Sequence, residues 1–182
     1  ISMKGWQFVD TNKPLELVEK EDPKAESGKV VIDMKVAGLC HSDVGVLRDE
    51  GWKVLLGELP VIMGHEVAGV ISEVGEGVKD YKVGDKVAVC PTGPSGTAPG
   101  YAYDGGFGTK VLAPADDLVR IPDGVSFAAA AAGTDAGMTS YHAAFNKGGI
   151  KKGMKVGMIG IGGLGQIALE AAIAQEIEVY AI

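Results

Sequence analysis

From residue 4 to about 125, apolar and polar positions alternate over short runs. "KVVIDMKVAGL" (29–39), "EVAGVISEVG" (66–75) and "DKVAVCP" (85–91) are rich in Val and Ile and separated by turn residues, the pattern of half-buried strands. "GTKVLAPADDLVRIPDG" (108–124) predicts two more strands, broken at Pro114 and closed by a Pro-Asp-Gly turn. "GEGVKDYKVGDKV" (75–87) reads as a long surface turn. Many short strands with frequent turn signals predict an antiparallel barrel or sandwich. Near residue 126 the texture becomes Ala-rich, and "SFAAAAAGTDAGMTSYHAAFNKGG" (126–149) predicts helix, interruption, helix, with Ser126 as N-cap. The last stretch, 154–182, predicts a strand (154–160), a glycine turn, a helix (about 163–175) and a second strand (178–182), one β-α-β unit. A lone unit of this kind cannot make a stable parallel sheet. The expected organisation is therefore a β domain over 1–150, then 151–182 as the N-terminal fragment of a larger, truncated α/β domain.

Composition narrows the partners. The 182 residues carry a net charge of −7, with Lys and Arg scattered rather than clustered, which argues against nucleic acid or an anionic membrane as partner. There is no run of about 18 apolar residues and no basic-then-apolar leader pattern, so a soluble, cytoplasmic protein is expected. The two cysteines, Cys40 and Cys90, supply no disulfide framework and suit a reducing compartment.

Two stretches carry candidate chemistry. "GIGGLG" puts Gly160, Gly162 and Gly165 in G-x-G-x-x-G register between a predicted strand and a predicted helix, with Gly163 and Leu164 inside the turn. The first glycine permits the tight turn, the second lets backbone N–H groups approach a pyrophosphate, and the third lets helix and strand pack closely. The acid that reads the ribose is expected just past Ile182, so NAD and NADP are not distinguished. "CHSD" (40–43) is the second stretch. Catalytic zinc takes three Cys, His or carboxylate ligands and keeps one position open. Read as extended chain, "CHSD" puts Cys40 and Ser42 on one side and His41 and Asp43 on the other, so Cys40 and His41 do not share an ion. Cys40 with His65, in the glycine-flanked turn "PVIMGHEVAG", is one pairing; two unrelated side chains is the other. His142 reads as a partly buried, non-ligating helix residue.

Taken in order, "AGLCHSDVGVL", "LPVIMGHEVAGVISEVGEGVKDYKVGDKVAV", "GGFGTKVLAPADDLVRIPDG", "AGMTSYHA" and "GIGGLG" resemble the zinc-dependent alcohol dehydrogenases of the medium-chain dehydrogenase/reductase superfamily. The resemblance runs from Met3 to Ile182. It implies a mainly β GroES-like barrel carrying the metal, followed by the first β-α-β unit of a Rossmann domain carrying NAD or NADP. It further implies Cys40 and His65 as zinc ligands, Glu66 beside them as an acid that can exchange onto the metal, and Asp43 as the group that orients His65. Ser42 matches the hydroxyl that meets the substrate oxygen, His41 the residue at the cofactor pyrophosphate, Thr139 and Leu164 residues near the nicotinamide. The implied substrate is a small alcohol, aldehyde or ketone, and the implied full-length protein is a homo-oligomer, dimer or tetramer. Trp52 reads equally as a pocket residue or as a surface or core Trp.

Three departures stand out. Where the family commonly has a third Cys ligand, this chain has Asp135; a carboxylate can ligate zinc, and the alternative is a helix cap. "CPTGPSGTAPGYAYDGG" has no C-x-x-C, so one catalytic zinc and no structural zinc are expected; Cys90 reads as a small buried strand-end residue. Gly45 replaces a His that often ends the proton relay. The loops 47–60 and 91–107 are expected to shape the pocket, the second as a flexible segment offering Tyr101 or Tyr103. The implied reaction is NAD(P)-linked alcohol oxidation or carbonyl reduction, the truncated fragment itself being inactive. A zinc-independent quinone or enone reductase and a non-catalytic binding module are the other readings.

Overall fold

The computed structural model describes residues 2–182, which form two compact units, one ending at Thr134 and the other running from Asp135 to Ile182. In the first unit, strands β1 (Ser2–Phe8), β2 (Glu16–Glu21) and β4 (Val61–Ile62) make an antiparallel sheet in the order β2-β1-β4. A second antiparallel sheet of five strands has the order β7-β3-β5-β6-β8, with β3 at Lys29–Gly38, β5 at Glu66–Val74, β6 at Lys86–Val89, β7 at Lys110–Pro114 and β8 at Leu118–Arg120. This is the antiparallel β barrel that the strand pattern predicts. Its interior is a β-branched cluster of Val30, Ile32, Val67, Ile71, Val87, Val89 and Val111, whose stiff side chains fit the pleated faces of paired strands. The predicted long turn is found between Val74 and Lys86.

"CHSD" is not extended. Helix α1 spans His41–Arg48 with Cys40 as its N-cap, so the side-by-side alternation expected for these residues is replaced by a helical first turn. The cause is local: Asp43 stands at the third helical position and accepts the Cys40 backbone N–H at 2.9 Å, the half of a capping box that a carboxylate supplies. Helix α2 (Phe127–Ala132) starts at the predicted cap, where Ser126 Oγ accepts the Ala129 N–H at 3.1 Å. It packs through Ala131 on Ala68 of β5 and Ala88 of β6, small residues that let a helix lie close on a sheet.

The expected interruption of the Ala-rich helical stretch is present. The interruption is a π-turn, Gly133–Gly137, followed by α3 (Met138–Tyr141) and a second π-turn, His142–Lys147. His142 is exposed there, not partly buried, and Asp135 does not cap α3, whose N-cap is Gly137. The parallel pair β9 (Lys155–Met158) and β10 (Glu178–Ala181) flanks α4 (Gly163–Ala174), the β-α-β unit read from the sequence.

Candidate active site

Three points of the barrel chain converge on one place. Cys40 follows β3, while His65 and Glu66 lie where the chain enters β5. Strands β3 and β5 are paired, with Gly38 opposite Glu66, which fixes these segments side by side. The ligand atoms of Cys40, His65 and Glu66 lie within 4.8 Å of one another, a set of one thiol, one imidazole and one carboxylate suited to a borderline-soft divalent ion. His65 and Glu66 are buried and Cys40 half-buried.

Close backbone packing makes room for them. A Cβ on Gly38 would stand 1.7 Å from Glu66 Oε2, so the absent side chain is what admits the carboxylate. Gly64 has φ +97°, a conformation open to glycine, and a Cβ there would strike Phe107 at 2.6 Å. That turn aims the next residue, His65, inward.

Behind the donors lies Asp43, 2% exposed. One of its oxygens caps α1 at Cys40, and the other faces His65 Nδ1 at 3.5 Å. One carboxylate thus caps the helix at Cys40 and stands beside the His65 ring.

Ser42 is the next residue of the same helical turn, and its Oγ accepts a hydrogen bond from the Tyr101 hydroxyl at 3.1 Å. The Tyr101 ring lies against the His65 imidazole with centroids 5.1 Å apart. Burial pushes the Tyr101 phenol above its ordinary pKa, the hydrogen bond to Ser42 acting in the opposite sense. The sequence offered Tyr101 or Tyr103 from this loop; Tyr101 meets Ser42, and Tyr103 instead packs on the barrel cluster.

The segment 91–107, expected to be flexible, is tied down along its length. Gly105, Gly106 and Phe107 donate backbone hydrogen bonds to Ile62, Gly64 and Met63, at 2.7, 2.7 and 2.9 Å. The Asp117 carboxylate, 1% exposed, accepts from the Ser95 N–H at 2.9 Å and from the Ser95 hydroxyl. Trp52 lies on Gly45, its indole 2.9 Å from where a Cβ would stand, and Cys90 is half-buried with Sγ 3.7 Å from Thr92 Oγ1. His41 is exposed at the start of α1.

In the second unit, Asp135 Oδ1 accepts a hydrogen bond from Thr139 Oγ1 at 3.1 Å. Thr139, Gly160, Leu164 and Gly165 line one cavity of about 440 Å³. Gly160 has φ +85°, and a Cβ on Gly165 would stand 2.0 Å from the Gly160 carbonyl oxygen, so the first and third glycines do the work assigned to them. Gly162 is the N-cap of α4, and neither it nor Gly163 has a neighbour within 4 Å of a Cβ position, at the positive end of a 12-residue helix.

Residues 26–123 match the family described as "Alcohol dehydrogenase GroES-like domain". An alcohol dehydrogenase of Geobacillus stearothermophilus is 39% identical over 197 residues, covering 99% of this chain and 58% of that protein. Among solved structures, acetophenone reductase from Geotrichum candidum in complex with NAD superposes with a TM-score of 0.83 at 31% identity, over 99% of this chain and 57% of that one. A cobalt- and zinc-bound thermostable alcohol dehydrogenase from Pyrobaculum aerophilum gives 0.85 at 28% identity, over 100% of this chain and 59% of that one. The chain therefore spans somewhat over half the length of the relatives it matches.

Proposed function

This chain belongs to the alcohol dehydrogenases with a GroES-like domain, and on that premise we propose that it supplies the metal site and the start of the cofactor site of an oxidoreductase acting on a small alcohol, aldehyde or ketone with NAD or NADP. The observation that carries the reading is the cluster of Cys40, His65 and Glu66 with Asp43 behind it. Cys40 and His65 would hold one catalytic zinc, with Asp135 as the third ligand and Glu66 as the acid that can replace a departing one. Residues 1–150 form the catalytic domain in this reading and 151–182 belong to the dinucleotide-binding domain; the whole protein is a homo-oligomer.

When bound, zinc supplies Lewis acidity toward the substrate oxygen and NAD(P) the two-electron chemistry. The chain's own residues do the rest. Asp43, whose Oδ1 faces His65 Nδ1 at 3.5 Å, would orient the His65 ring. Ser42 Oγ would accept the alcohol proton during oxidation while its own proton passes to water, and the reverse exchange would serve reduction. His41 and the N–H groups around Gly162 and Gly163 receive the pyrophosphate, while Thr139 and Leu164 bound the nicotinamide side. The buried Glu66, His65 and Asp43 exclude water from the donors, which strengthens each charge interaction there.

Metal content of the purified chain, measured by plasma mass spectrometry, tests this. About one zinc per chain is expected, lost in Cys40→Ser and weakened in Asp135→Ala. Full zinc in Asp135→Ala moves the third ligand to Glu66, and no metal in the unmodified chain overturns the site.

A further inference from the structure

Ser42 is asked to hand a proton to and from a substrate, yet a hydroxyl has one proton and two lone pairs and rotates freely unless something fixes it. Its own helix does not fix it. One turn on, Gly45 contributes no side chain, and the Trp52 indole covers the space where one would stand. What meets Ser42 comes from a residue 59 positions away: the Tyr101 hydroxyl donates to Ser42 Oγ at 3.1 Å.

Tyr101 is itself held from several directions. Its carbonyl accepts the Gly57 N–H at 2.9 Å, its own N–H reaches the Ala98 carbonyl at 3.3 Å, and its ring packs on the buried cluster of Phe8, Val46 and Met63 while lying beside His65. The loop that carries it is anchored at both ends, by Asp117 on Ser95 and by the bonds of Gly105, Gly106 and Phe107 to the His65 turn. A fixed donor of this kind occupies one lone pair of Ser42 Oγ.

We propose that Tyr101 is the positioning residue for Ser42: by donating to Ser42 Oγ it occupies one lone pair and leaves the other to meet the substrate, with the serine's own proton turned to the water that carries it on. The inference rests on the functional reading above. It assigns Tyr101 no proton transfer of its own. Its hydroxyl keeps its proton throughout; Ser42 accepts the alcohol proton as it releases its own to water, and the reverse exchange serves reduction.

The test is a double-mutant cycle of Tyr101→Phe, Ser42→Ala and the pair, in the zinc-loaded chain, with 2,2,2-trifluoroethanol as a fluorinated alcohol probe followed by 19F NMR. Tyr101→Phe keeps the ring on His65 and removes only the hydroxyl. The expected result is about 3- to 10-fold weaker binding in Tyr101→Phe, the size of one net hydrogen bond, with a moved bound-state 19F shift. The same Tyr101→Phe change should do nothing further once Ser42 is Ala, because its effect travels through Ser42. Equal losses in both backgrounds, or a silent Tyr101→Phe, overturn the proposal. Zinc content on the same samples separates the two levels: a chain without zinc sinks the metal reading, whereas a zinc-loaded chain with a silent Tyr101→Phe sinks this one alone.

Discussion

Replacing Gly38 with Ala tests the packing that forms the candidate site. The new Cβ would stand 1.7 Å from Glu66 Oε2, 2.8 Å from its Cδ and 2.9 Å from its Cβ. The first two contacts can be relieved by swinging the carboxylate away. The third cannot, because the Glu66 Cβ is fixed by a strand residue paired directly with Gly38. Overpacking of this kind costs about 1–3 kcal/mol. At about 2–4 °C per kcal/mol for a chain of this size, Tm falls by roughly 2 to 12 °C. The displaced carboxylate also leaves the donor cluster, so zinc affinity falls with stability. Calorimetric Tm and zinc titration on Gly38→Ala measure both. Repeating the substitution in a Glu66→Gly background removes Oε2, Cδ and Cβ alike, so at least half of the Tm penalty should disappear. An unchanged Tm with unchanged zinc affinity, or an equal penalty in the Glu66→Gly background, would refute the claim that Gly38 exists to admit Glu66.

Two further outcomes are expected. Asp117→Asn keeps the shape of a carboxylate that accepts twice from Ser95 but removes its charge; charge-assisted bonds of this type are worth about 1.5–3 kcal/mol each, so limited proteolysis should open the chain between 91 and 98, and a protease-resistant loop would contradict the anchoring role. Gly165→Ala forces a Cβ to within 2.0 Å of the Gly160 carbonyl oxygen, so the first turn of α4 should exchange its amide hydrogens at least tenfold faster, and unchanged protection would mean that the glycine turn has slack.

What the sequence revealed and what it hid divide along the range of the interactions. The β-α-β unit was legible because each of its signals is local: a short apolar run, glycines at fixed offsets, then an apolar helix, with Gly160 and Gly165 meeting only five residues apart. Cys40 was nameable as a candidate for the same reason. Its conformation was not, because four residues carry no period and the choice between strand and helix fell to one capping bond from Asp43. A read of "CHSD" as an N-cap followed by an acid at the third helical position would have found α1, and that signal was present in the sequence.

The loop at 91–107 shows why composition misleads. Gly, Pro and Ser were read as freedom, and in the folded chain the glycines serve close approach instead: Cβ atoms on Gly100 and Gly105 would stand 2.6 Å from Gly64 N and 2.3 Å from Gly64 O. Three glycines from two distant segments stack backbone on backbone, next to the residue that presents His65. The same stacking brings Tyr101 to Ser42 and to the His65 ring. No periodicity within either segment encodes that meeting, since it depends on what is missing from both. A site of this kind is specified jointly by its donors and by the glycines around them, so a substitution that leaves every candidate ligand in place, at Gly38, Gly64 or Gly105, should damage it as surely as one that removes Cys40.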